Sequence, residues 1–117
     1  MNNDEIVQYW LTEAAESLTV ADHLVAKKDY SYALFFGHLA VEKMLKALYV
    51  ERHHKGVQRT HDLGRLANLV NLSLDDIRTD QLDVITTFNL EARYPDYKRA
   101  FRNKCTLEYT KKWMKIV

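Results

Sequence analysis

Apolar residues along this chain recur at three- and four-residue steps, the period of an α-helix rather than the alternation of a strand. From about Asp4 to Lys27, Val7, Trp10, Ala14, Ser17, Ala21 and Leu24 fall on one side of a helix. Leu11, Leu18 and Val25 widen that side until it can serve two neighbours. Lys27 to Asp29 form a short polar turn. From Tyr30 to about Glu51 a second stripe is marked by Leu34, Val41, Leu45 and Leu48, with His38 on or beside it and Glu42, Lys43 and Lys46 along its border. A brief third helix is expected through Val70, with Thr60 as its N-cap. Ser73 followed by Asp76 suggests an acidic capping box for a fourth helix over about Leu74 to Ala92, with Ile77, Val84, Ile85 and Phe88 as its apolar face. Pro95 ends it, because the residue before a proline is biased away from helix. A fifth helix then runs from about Tyr97 or Phe101 to Lys115.

Three Gly and one Pro leave little punctuation, which suits helices joined by short loops, and short connections favour antiparallel neighbours. The expectation is an all-α fold: an up-and-down bundle of four long helices plus one short helix, in a single domain over residues 1–117. A chain of this length buries roughly two-thirds of the surface its unfolded form exposes. Hydrophobic residues make up 47% and charged residues 28%, which excludes a disordered chain. Seventeen Lys and Arg against sixteen Asp and Glu give a net charge of +1, so nucleic-acid binding has to use a local patch rather than a global field. The single Cys105 cannot form an intramolecular disulfide. With an N-terminus that lacks the layout of a signal peptide, a cytoplasmic location is expected. No apolar run approaches the roughly 20 residues that cross a bilayer, so no membrane association is expected.

Few residue patterns carry chemistry. There is no Gly-rich phosphate loop, no nucleophile motif and no pair of catalytic carboxylates, which argues against an independent metabolic enzyme and calls for no cofactor. Arg52, His53, His54, Lys55 and Arg59 make the one dense basic segment, either a solvated charge run or a contact for phosphate. Adjacent histidines on a helix cannot both face one metal, and no third ligand is near, so no metal site is expected. His38 is either a hydrogen-bonded core residue or a pocket residue, and His61 belongs to a helix start that caps itself or meets an anion. Arg93 and Tyr94 either line a cleft beside Arg102, or Tyr94 closes the end of the bundle while Arg93 pairs with Asp96 or Glu91. Arg102 offers a planar fork for phosphate or for an ion pair. Cys105 reads as buried and inert.

Tyr30, Ala33, Phe36 and His38, then the run Ala40 to Leu48 (AVEKMLKAL), precede Thr60-His61-Asp62-Leu63 and Ala92-Arg93-Tyr94-Pro95-Asp96. In order and distance these segments resemble the HEPN family, small helical proteins named for nucleotide binding in higher eukaryotes and prokaryotes. The resemblance runs from Trp10 to Trp113. It implies a homodimer and a minimal nucleotidyltransferase as partner, with nucleotide or RNA as ligand. Many members that act as ribonucleases carry an Arg, four to six residues and then a His on the last long helix near a dimer axis, where the Arg holds phosphate and the His moves a proton. Arg102-Asn103 match the Arg and the polar residue after it, but Leu107, Glu108 and Tyr109 follow where the His is sought. On one continuous helix Tyr109, seven residues on, lies about 20° from Arg102 around the axis. A phenol with a pKa near 10 is a poor general base but can donate to a phosphate oxygen; alternatively Tyr109 packs with Cys105, Trp113 and Ile116.

Three readings follow. In the first, the chain is a noncatalytic nucleotide-, RNA- or partner-binding subunit, its phosphate-binding residues being Arg102, Asn103, Arg93, Tyr94 and His38. In the second, it is a metal-independent ribonuclease toxin whose composite dimer site uses Arg102, Asn103 and Tyr109. In the third, it is a structural interaction domain.

Overall fold

The computed structural model describes residues 2–54 and 60–117, apart from the side chains at positions 95 and 96. Six α-helices are present and no strand among the described residues: α1 (Asn3–Ala26), α2 (Tyr30–His53), α3 (Leu63–Leu69), α4 (Asp76–Glu91), α5 (Pro95–Lys104) and α6 (Leu107–Ile116). The all-α expectation holds, while the helix count differs because the last helix is broken into two.

Helix ends follow local capping chemistry. Asn2 caps α1 by accepting from Glu5 N–H at 2.8 Å, and Asp62 and Asp75 cap α3 and α4 through Arg65 and Arg78 N–H. Thr60 and Ser73 are therefore not the N-caps; Thr60 instead accepts the Asp62 N–H at 3.2 Å, one step before the helix. The α1–α2 turn closes with Asp29 N–H on the Leu24 carbonyl and Lys28 N–H on that of Val25. This paired pattern requires a left-handed residue between them, and Lys28 takes it at φ 64°. Asn71 at φ 58° does the same after α3, with Leu72 N–H on the Ala67 carbonyl.

α2 is the spine, touching each of the other five helices. Twelve of its 24 residues are buried, on more than one side, so a single apolar stripe understates it. Gly37 lets α6 come close: a Cβ there would stand 3.4 Å from both Met114 Sδ and Val117 Cγ2. Glu42 and Lys46, expected at the border of the stripe, are buried at 3% and 8% exposure. On α4, Ile85 and Phe88 enter the core as expected, but Ile77 is 70% exposed. Phe88 is the joint of the C-terminal half. Its ring lies 5.5 Å from Phe101 on α5 and 5.8 Å, edge-on, from Trp113 on α6, within the range where aromatic pairs attract. Three helices are thereby fixed around one side chain, and α5 presents its outer face to solvent.

The basic segment at the end of α2 has a structural task. Arg52 donates to the Val70 carbonyl, and His53 Nε2–H donates to that of Leu69 at 2.6 Å, so both satisfy free carbonyls at the end of α3. His54 Nδ1 accepts from the Asn3 amide at 3.2 Å. Lys55 and Arg59 lie outside the described residues.

Candidate phosphate-binding site

Phe101 is 2% exposed, while Arg102 and Asn103 beside it face solvent. Residues three and four apart share a helix side, so Lys98, Arg99 and Arg102 project together. With Asn103 they line an open depression of about 670 Å³. Lys98 Nζ stands 5.3 Å from the centre of the Tyr32 ring, a cation–π contact that holds it toward α2. Arg102 also reaches a recess of about 140 Å³ whose walls include Lys28, Asp29, Tyr30 and Ser31. Among the described residues Lys98, Arg99 and Arg102 form no ion pair. Three neighbouring cations with the amide of Asn103 make a surface suited to phosphate oxygens. A roomier depression of about 710 Å³ between α3 and α4 sets Asp62 and Asp83 against the single cation of Arg65, a balance of charge less suited to such a ligand.

Between Arg102 and Tyr109 the backbone breaks. Cys105 ends α5 at φ −81°, ψ 70°, and Thr106 opens α6 in an extended conformation, its Oγ1 accepting the Tyr109 N–H at 3.2 Å. Threonine is a favoured N-cap, so this break is written into the sequence. The 20° relation between Arg102 and Tyr109 needs an unbroken helix and does not hold. The Tyr109 ring lies 6.4 Å from that of Trp113, with Lys104 Nζ 5.7 Å from its centre, which is the packing alternative. Burial raises its phenol above the usual 10, and the negative charge of ionised Cys105 or Glu91 would push the same way. At neutral pH it therefore keeps its proton, and a hydroxyl that donates cannot act as the base. Burial also pushes the Cys105 thiol up to about 12, which makes it unreactive.

The other expected site residues gather elsewhere. Arg93 Nε donates to the Asn89 carbonyl at 3.0 Å and its Nη2 to Asn89 Oδ1 at 2.9 Å, while its guanidinium stacks on Phe35 at 5.4 Å and Tyr94 at 5.9 Å. Among the described residues its hydrogen-bond partner is thus Asn89 rather than Glu91, while the expected pairing with the Asp96 side chain lies outside them. Tyr94 is half exposed at 51%. Neither residue lines the Arg102 depression. His38 is fully buried: its Nε2–H donates to the His61 carbonyl at 3.1 Å, leaving Nδ1 as a bare acceptor with no partner among the described residues. Desolvation, aided by the charges of His61 and Arg93, lowers its pKa below the usual 6.5, although the His61 hydrogen bond and Glu42 pull the other way. A neutral, enclosed imidazole is no phosphate ligand, and the structural alternative for His38 is the one observed.

The HEPN domain model matches residues 7–117. The chain belongs to the HEPN family. No curated protein matches it. Among solved structures, the crystal structure of TT1696 from Thermus thermophilus superposes with a TM-score of 0.71 at 23% identity, covering 98% of this chain and 95% of that one. At that identity the likeness speaks for the fold.

Two sets of residues in this HEPN protein do not stand out from sequence as functional or structural groups. Lys98 and Arg99 are the first; their signal is the spacing of the run Lys98, Arg99, Arg102 on a short helix. The second is a polar cluster around the buried pair Glu42 and Lys46, which the exposed His61 joins from outside. Glu42 Oε2 accepts from Lys46 Nζ at 3.1 Å, and Glu42 Oε1 from His61 Nδ1–H at 2.6 Å. Lys46 Nζ also stands 5.2 Å from the Trp10 ring. The four-residue steps His38, Glu42, Lys46 are visible in the sequence, but not that their shared side is covered. Among the described residues no group of three or more His, Cys, Asp or Glu is arranged to hold a metal, and no helix is long and apolar enough to cross a membrane.

Proposed function

We propose that this HEPN protein is a noncatalytic subunit that binds the phosphates of a nucleotide or RNA through α5 and works, as a homodimer, with a minimal nucleotidyltransferase in a pair of the toxin–antitoxin type. The supporting observations are that Lys98, Arg99 and Arg102 share one exposed face with Asn103 and pair with no carboxylate among the described residues, and that Tyr109 holds its proton. Arg102 grips phosphate in two places and Asn103 supplies an amide donor. Arg93, Tyr94 and His38 leave the ligand set. The work is done in the cytoplasm, with no cofactor required.

A second reading is favoured by one feature. A composite site that pairs Arg102 of one copy with Tyr109 of the other does not depend on a continuous helix within the chain. In that arrangement the chain is a metal-independent ribonuclease and Tyr109 donates to the phosphate while another group takes the proton.

The test is thermal unfolding with and without nucleoside triphosphates and short RNA, for the wild type and Arg102→Ala. A ligand that binds only the native state raises Tm by mass action. The proposal expects a rise in the wild type that is absent in the variant; no rise in either leaves a purely structural domain.

A further inference from the structure

α1 is a 24-residue helix whose one extensive packing partner among the described elements is α2. Its apolar face is nevertheless wide enough for two neighbours, and among the described residues no second helix covers it. Leu11 and Leu18 of α1 line a trough of about 460 Å³ together with Val41 and Met44 of α2, Leu72 and Val117. Leu18 and Met44 stand at its rim, 40% and 46% exposed. Leu11 to Leu18 spans about 10 Å, two helical turns, and the trough lies between helices as a further helix would.

Charge selects the occupant. α1 carries Asp4, Glu5, Glu13, Glu16 and Asp22 and no Lys or Arg. Asp4, Leu11 and Leu18 recur at seven-residue steps and Asp22 follows four later, so carboxylates bracket the apolar stripe. Both are exposed, as is Glu51, seven residues beyond Met44 on α2. The α2 cations nearby are engaged: Lys43 with Ser17 and Glu13, Lys46 with Glu42, Arg52 with the Val70 carbonyl. α6, which Val117 ends, carries exposed Lys111, Lys112 and Lys115, so the carboxylates are on the α1 edge and the exposed cations on the α6 edge. A second copy that laid its own α1 in the trough would set carboxylates against carboxylates, which is unfavourable.

We infer that the trough takes an amphipathic helix of another protein, with Leu- or Met-like side chains at i, i+3, i+4 and i+7 entering it and Lys or Arg along the α1 edge. This deepens the partner-binding side of the function proposed above and uses a face separate from α5.

The probe is a fluorescein-labelled Leu/Ala/Lys peptide of about five helical turns with that spacing, against the same peptide with Glu in place of Lys. Anisotropy is measured for the wild type, Leu18→Gln, Met44→Gln, the double change Asp4→Asn with Asp22→Asn, and Arg102→Ala, each checked for fold by circular dichroism. The Lys peptide binds at least about tenfold more tightly than the Glu peptide, and the Asn double change weakens it severalfold and flattens its salt dependence. Leu18→Gln or Met44→Gln abolishes binding. Arg102→Ala leaves it unchanged, so failure of the phosphate reading does not touch this result. Equal affinity for the two peptides, indifference to both Gln variants, or no binding of the Lys peptide overturns the inference. So does a wild-type dimer in sedimentation that Leu18→Gln and Met44→Gln together dissociate, which assigns the trough to a second copy.

Discussion

The centre of α2 and the surface of α5 are both rich in charge, and they treat it in opposite ways. Around Glu42 each charge has a partner: Lys46 and His61 donate to its two oxygens, and the His61 carbonyl receives His38. On α5, Lys98, Arg99 and Arg102 stand together with no carboxylate paired to them among the described residues. Enclosed charges need partners within the fold because desolvation costs several kcal/mol per ion. Exposed like charges gathered without partners mildly oppose folding, so their arrangement points to something that arrives from outside. Charge in the core of this protein is architecture, and charge on α5 is a candidate for function.

The largest effect is expected at Glu42. Glu42→Ala leaves Lys46 enclosed without its carboxylate and frees the segment around His61, for a loss of about 3 kcal/mol in urea unfolding. Replacing both partners, Glu42→Leu with Lys46→Met, loses less than the single change, because no stranded charge remains. Equal losses would mean that the cluster is packing rather than paired charge.

Arg102→Ala tests the other side. Its cost in stability stays within about 0.5 kcal/mol, as for a surface position, while affinity for a phosphate-bearing ligand falls roughly tenfold and the salt dependence of binding becomes shallower. A large loss of stability would place Arg102 with the architecture.

His38 sharpens the comparison through pH. Its folded pKa lies below the ordinary 6.5, so the unfolded chain binds the proton more readily. The corresponding stability is fully present above about 6.5 and is lost as pH falls toward the folded value. Urea midpoints at pH 7.5 and pH 5 show a drop in the wild type that His38→Gln reduces. The smallest effect is expected at Lys28, held at φ 64° in the α1–α2 turn, where glycine relieves the left-handed backbone. Lys28→Gly raises stability by about 1 kcal/mol, read as a higher Tm.

Periodicity makes the long elements legible. The stripes that end near Lys27 and Glu51 fall within two residues of the observed ends of α1 and α2 because side chains three and four apart share one covered face. Two things are not legible from it. One is the break at Cys105–Thr106: the apolar spacing of Phe101, Cys105 and Trp113 continues through it, and only the capping preference of Thr106 marks a new start. The other is how far α2 is enclosed, since a helix surrounded on several sides buries Glu42 and Lys46 along with leucines, and polarity alone cannot distinguish an enclosed ion pair from a solvated one. The same limit applies to the site. Arg102 and Asn103 stand out by resemblance, His38 reads more readily as a core residue than as a pocket one, and the companions Lys98 and Arg99 become visible only once Phe101 fixes which side of α5 faces solvent.

Phosphate binding by α5 without a base to cleave the ligand is the proposal on which the reading of the site depends. Incubation of a labelled RNA with purified wild type, Arg102→Ala and Tyr109→Phe, read for retention on native gels and for cleavage on denaturing gels, tests it most directly. Retention by the wild type and Tyr109→Phe, weakened retention by Arg102→Ala, and intact RNA in every lane are expected. Cleavage by the wild type that disappears in Tyr109→Phe would contradict the proposal.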